Sequence, residues 1–372
     1  MSAPRQLLLL GGGHAHVQVL DALARAPLAG VQAMLVTPHA RQMYSGMVPG
    51  LLAGHYAADE CVIPLVPLAA AAGVTLRLAR AVALDARARQ VTLDDGQQLG
   101  YELLSIDTGP QIDLDALRGA REHGLPVRPI ETFVQRLDAL GTGDAAAALV
   151  VVGGGAAGVE LAMALAFRQR STGQAGARVA LVAGPEPLAD LGAAVQRRAW
   201  RALAAQGVAL HLQSAAAVAA DQVLLADGTR LPCGAALLAL GAAAPRWLTG
   251  SGLALDAHGF IATGPTLQSV SHAEVFAAGD VATRSDAPHP KSGVHAVRAG
   301  APLAANLRQA LQGRPLQTYR PQARTLYLLS CGERRAIASW GGWSAEGAWV
   351  WRWKDRIDRA FIARYRRAAA TA

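Results

Sequence analysis

Ala148-Leu149-Val150-Val151-Val152-Gly153-Gly154-Gly155-Ala156-Ala157-Gly158-Val159-Glu160 decides the fold. The apolar run Ala148–Val152 ends in glycine and reads as a strand buried in a parallel sheet. Gly153, Gly155 and Gly158 complete a G-x-G-x-x-G spacing. The first glycine of such a spacing permits a tight turn, the second lets backbone approach a pyrophosphate, and the third lets the next helix close on the strand. Val159, Met163 and Phe167 then recur at helical spacing, and Arg178–Val182 reads as the returning strand. The stretch is one dinucleotide-binding unit, with a pyrophosphate expected at the helix N-terminus.

The same order occurs earlier. Leu7–Leu10 is apolar, Gly11-Gly12-Gly13-His14-Ala15-His16 follows, Val17, Leu20 and Leu23 repeat as in a helix, and Val31–Val36 returns. Gly11 and Gly13 hold the first two glycine positions, and His16 stands at the third. Thr37 occupies the place where an acidic residue would hold a ribose. After the second unit, Val182 runs into Ala183-Gly184-Pro185, neither acidic nor basic, so this strand does not separate NADH from NADPH. Each unit is followed by strands about a turn: Gln90–Leu93, Asp94-Asp95-Gly96 and Leu99–Ile106 in the first, and Gln222–Leu225, Ala226-Asp227-Gly228 and Ala235–Leu240 in the second. The echo argues for a duplicated architecture.

Downstream, Phe276-Ala277-Ala278-Gly279-Asp280 ends an apolar run on a carboxylate. A helix pattern covers Gly293 to about Leu311. The tail predicts strands at Leu326–Leu329, Ala336–Trp340 and Trp349–Trp353, then a helix over Lys354–Arg367.

Composition bounds the partners. The 372 residues include 39 glycines and 17% charged residues, a globular rather than disordered balance. The formal net charge is +8, which favours phosphates or anionic lipid. No zinc spacing, RNA-binding aromatic motif or basic block accompanies it, so no nucleic-acid partner and no metal are expected. Cys61, Cys233 and Cys331 are far apart, as in a reducing compartment, and no transmembrane helix or signal peptide is read.

Taken in order, Gly11–His16, Tyr44-Ser45-Gly46-Met47-Val48-Pro49-Gly50, Gly153–Glu160, Phe276–Asp280, Pro290-Lys291-Ser292-Gly293 and Trp353-Lys354-Asp355-Arg356-Ile357-Asp358-Arg359 resemble the pyridine nucleotide-disulfide oxidoreductase superfamily. The closest branch in pattern lies near type II NADH dehydrogenases and the oxidoreductase portion fused to selenide, water dikinase. The resemblance implies an α/β fold of two interleaved Rossmann-like FAD- and NAD(P)-binding domains plus a small C-terminal region of strands and a helix. Residues 1–110 and 255–315 would form the FAD domain, 111–254 the NAD(P) domain and 316–372 the C-terminal region.

It further implies that NAD(P)H reduces FAD, which passes electrons to a small-molecule acceptor such as a quinone. A sulfur or selenium compound, or a non-enzymatic FAD-binding role, is the alternative. Arg41–Gly54 carries no cysteine pair, so no redox disulfide is expected. The implied FAD contacts are Gly11, Gly13, His14, His16, Thr37, Pro49, Val82, Thr108, Gly109, Gly279, Asp280, Ser292 and Gly293. Gly153, Gly155 and Gly158 would hold the nicotinamide dinucleotide. Glu160 would lie by the nicotinamide, and Lys291 near the flavin, where a cation offsets charge on the reduced ring. Alternating Trp349, Trp351 and Trp353, with the stripe Ile357, Phe361 and Tyr365 among arginines, suggests peripheral membrane contact. The expected location is cytoplasmic, at the inner membrane face.

Overall fold

The computed structural model describes residues 4–140, 148–173 and 178–370. Two five-stranded sheets dominate, and each is parallel throughout. The first runs Val275–Ala277, Leu103–Ile106, Arg5–Leu10, Val31–Thr37 and Thr75–Leu78 in spatial order. The second runs Gly124–Pro126, Ala235–Leu238, Leu149–Val152, Val179–Val182 and Ala209–His211. In both, the strand before the glycine turn is central and the strand after the meander lies beside it. Leu7, Leu8, Leu9 and Leu10 are all buried, as are Val150, Val151 and Val152. Each such side chain contributes about 1.5–3 kcal/mol on burial, which is why these runs form the sheet centres.

Helix α1 (His14–Arg25) follows the first turn and α2 (Ala156–Ser171) the second. Helix α3 (Gly293–Leu311) returns from the far end of the chain to pack on α1. Gly300 permits that approach: a Cβ there would meet Gln18 Cβ at 3.0 Å. The first sheet therefore unites segments on both sides of the second.

Leu99–Ile106 is not one strand. Gln98–Gly100 closes an antiparallel meander and Leu103–Ile106 enters the parallel sheet, with buried Tyr101 between them. The tail also departs from expectation. Leu326–Ser330, Ala336–Trp340 and Trp343–Gly347 form an antiparallel sheet, and Trp349–Trp353 belongs to helix α4 (Ala348–Ala370). The tryptophan alternation is overridden by a seam at helical spacing: Val350, Lys354, Asp358, Ile362, Tyr365 and Ala369 are buried. Trp349, Trp353 and Ile357 face outward instead. Tyr365, assigned to the outer stripe from sequence, is in the core. No described helix is long and apolar enough to cross a membrane.

Candidate active site

The carboxyl ends of the first sheet open into a cleft of about 510 Å³. Gly11, Gly13, His14, Thr37, Thr108, Gly109, Asp280 and Gly293 line it, so eight of the sequence-expected FAD contacts converge. Ligands favour this position outside the strand ends of an open parallel sheet. Arg80, Arg121, Arg128 and Arg246 also line the cleft and suit a diphosphate. His14 Nε2 and Ser292 Oγ are buried without a hydrogen-bond partner, as groups awaiting a polar ligand would be. These residues fit FAD.

The remaining expected contacts are not among the residues lining the cleft. The His16 ring is fully buried within the protein, Nδ1 lying 2.6 Å from Gly11 O and Nε2 2.8 Å from Ser105 Oγ. His16 thus ties the glycine turn to the neighbouring strand in the place of the third glycine. Burial lowers its pKa to about 4, and the same cause, with Arg128 nearby, lowers that of His14 to about 4. Pro49 is buried in the short helix Val48–Leu52. Val82 is exposed, while its neighbours Arg80 and Ala81 line the cleft. Gly279 has φ +72°, and a Cβ there would lie 2.6 Å from Asp107 Oδ1. Ser292 stands at the N-cap of α3.

Lys291 lies outside the cleft lining. Its ammonium donates to Ala282 O at 2.5 Å and Thr283 Oγ1 at 2.7 Å, and covers the Phe260 ring at 3.9 Å. Burial lowers its pKa to about 8, against the opposing pull of Asp256 and Asp280. In the second unit, Gly153 has φ +132° and Gly158 packs against Gly153 O. Gly155 opens at the N-terminus of α2 with space beside it.

Glu160 projects from α2 just past its first turn. Its carboxylate accepts the Ser330 amide at 2.7 Å. Burial pushes its pKa up to about 7, partly offset by the Lys354 charge and the Ser330 hydrogen bond. Lys354 itself donates to Gly46 O and to Asp358 Oδ2, both at 2.5 Å. Asp358 is also hydrogen-bonded by Tyr44, whose ring stacks on Phe361 at 4.6 Å and lies 5.4 Å from His14. Helix α4 thereby supplies the cation Lys354 and the acid Asp358, and Asp358 holds the Tyr44 phenol whose ring lies beside the cleft-lining His14.

Sequence reasoning assigned no role to Asp107, Arg128, Tyr44, Lys354 or Asp358. The motifs around Tyr44 and Lys354 were visible, but only folding joins them. Arg128 Nη1 lies 3.5 Å from Asp280 Oδ2. The three cysteines are buried and unpaired, and burial raises their thiols to about 12, 11 and 12 in chain order.

A family model described as pyridine nucleotide-disulphide oxidoreductase matches residues 5–300. An NADH dehydrogenase-like protein of Mycobacterium tuberculosis is 33% identical over 63% of this chain and 62% of its own length. The aligned region thus spans less than two thirds of that relative. The demethylphylloquinone reductase of Synechocystis is 28% identical over 85% of this chain and 82% of its own. In fold, the chain is similar to the sulfide:quinone oxidoreductase of Aquifex aeolicus, with TM-score 0.80, 18% identity and coverage of 98% and 92%. Because the family match runs through both glycine turns and on through Asp280, the chain belongs to the pyridine nucleotide-disulphide oxidoreductases.

Proposed function

We propose that the protein oxidises NAD(P)H through FAD and delivers the electrons to a quinone without a redox disulfide. FAD is assigned to residues 1–110 and 255–315, the nicotinamide dinucleotide to 111–254, and the acceptor's surroundings to residues 316–372. One observation carries this reading: the half-buried Glu160 and Tyr44 and the buried Lys354 and Asp358 form one linked group, which reaches His14 through the Tyr44 ring. A quinone takes up two protons with its two electrons, and these are proton-bearing groups in a dry setting. Bound FAD would supply the electron transfer itself. The protein's part is to orient the cofactors and exclude water.

Glu160 is assigned to the nicotinamide side and Lys291 to electrostatic support of the FAD site from behind the cleft. The glycines of both turns, with Thr37, Thr108, Gly109, Asp280, Ser292 and Gly293, hold the nucleotides. The demethylphylloquinone reductase among the relatives agrees with a quinone acceptor. A sulfur relay is disfavoured, because thiols raised to about 11–12 are almost wholly protonated at neutral pH and therefore poor nucleophiles. The outer face of α4 carries Trp349, Trp353 and Ile357, 48%, 37% and 41% exposed, with Arg352 and Arg356 between them. We assign this face to an anionic membrane surface, where a lipid-borne quinone would be met.

The test is anaerobic reduction of the purified protein by NADH or NADPH, followed by mixing with a quinone or with polysulfide. Rapid flavin reoxidation by quinone, retained in a variant lacking Cys61, Cys233 and Cys331, is expected. Reoxidation by polysulfide alone, lost in that variant, would replace this reading with the sulfur one.

A further inference from the structure

We propose that Asp107 is the acid that governs FAD binding: it caps helix α1 from a neighbouring strand and must carry a proton for the cofactor to stay bound. This rests on the assignment of the cleft to FAD.

The N-cap of α1 is Gly13, which has no side chain to satisfy the first free amides. Asp107 supplies the missing acceptor from the end of the strand Leu103–Ile106. Its Oδ2 accepts the Ala15 amide at 2.8 Å and the His16 amide at 2.9 Å. The carboxyl group is also wedged between two glycines. A Cβ on Gly13 would meet its Cγ at 2.5 Å, and one on Gly279 would meet its Oδ1 at 2.6 Å. Asp107 therefore clamps the first glycine turn, its own strand end and the Gly279–Asp280 turn, all three of which line or border the cleft.

A carboxylate in that place is electrostatically awkward. The residue is buried and lines the same cleft as the expected diphosphate, with Asp280 close by. Burial and the Asp280 charge push its pKa up to about 8, although the two amides pull it down. The charged and titratable groups around it are His14 and His16 on α1, both held neutral, Asp280 with its partner Arg128, and Lys291 with His289 beyond Asp280. None of these donates to Asp107 in place of the two amides. A dianionic diphosphate entering the cleft raises the affinity of Asp107 for its proton further. By linkage, FAD binding then takes up a proton wherever free Asp107 is ionised, and affinity falls with rising pH.

The test uses full-length protein stripped of FAD, titrated with FAD by flavin fluorescence between pH 6.5 and 9. The wild type is expected to weaken above about pH 8, towards tenfold in Kd per pH unit. Asp107→Asn keeps a carbonyl acceptor for the amides but cannot ionise, so it is expected to bind FAD at pH 7 with a flat profile. Asp107→Ala removes the cap, and should bind FAD far more weakly at every pH. A folded Asp107→Asn protein that cannot hold FAD at pH 7 would show that the anion is what the site needs, and would overturn the proposal. So would an Asn variant that keeps the wild-type fall, since the titrating group would then be Asp280 or Lys291.

Discussion

Glu160 accepts a hydrogen bond from the Ser330 amide at 2.7 Å, which ties the N-terminal half of helix α2 to the C-terminal sheet. The carboxylate is thereby held in one orientation, with its pKa raised to about 7 by burial. It changes charge near neutral pH. A group poised in this way suits proton transfer near neutrality.

Glu160→Gln is expected to slow flavin reduction by NAD(P)H at least tenfold while FAD stays bound. Glutamine still accepts from Ser330 but does not titrate, so a rate inflection near pH 7 in the wild type should vanish. Stopped-flow traces at 450 nm across pH 6–8 give the answer. An unchanged rate and profile would leave Glu160 a structural link between α2 and the sheet.

Lys354 and Asp358 form a buried ion pair 2.5 Å apart. Lys354→Met leaves the Asp358 carboxylate without its cation, a loss of about 3–5 kcal/mol for buried pairs. Lys354→Met combined with Asp358→Leu should recover much of that stability, because no lone charge remains. Denaturant unfolding of both variants measures the difference. Equal destabilisation would mean that the pair is not electrostatically coupled.

Asp280 is mostly buried, lines the cleft and faces Arg128 at 3.5 Å. Asp280→Ala is expected to reduce FAD content at purification severalfold, through loss of the cofactor contact and release of Arg128. The ratio of flavin to protein absorbance measures it. Full flavin occupancy in the variant would remove Asp280 from the cofactor contacts.

The outward stripe on α4 predicts binding to anionic vesicles that weakens with salt. Replacing Trp349 and Trp353 by Ala, or Arg352 and Arg356 by Gln, should release the protein from phosphatidylglycerol vesicles at low salt. These side chains lie outside the buried seam, so folding and flavin content should be retained. Wild-type protein that stays in the supernatant at low salt would exclude this surface as a membrane contact.

The sequence alone determined both nucleotide-binding units. Their signals are local: a continuous apolar run can hide only in a sheet interior, and Gly11 and Gly153 adopt positive φ that other residues rarely reach. It also indicated the helix from Gly293 and the Asp280 turn. Tertiary structure decided what surrounds them. The Asp107 contact with α1 spans 92 residues and the Glu160 contact with Ser330 spans 170, and neither leaves a local pattern. The tail was misread for a related reason. Trp349–Trp353 alternates like a strand, yet the side chains beneath it bury with a spacing of four, and α4 forms because that seam packs on the rest of the chain. Burial against distant partners outweighs local preference where the segment is short. Local chemistry wrote the nucleotide turns, and only long-range packing brought Lys354, Asp358 and Tyr44 to them.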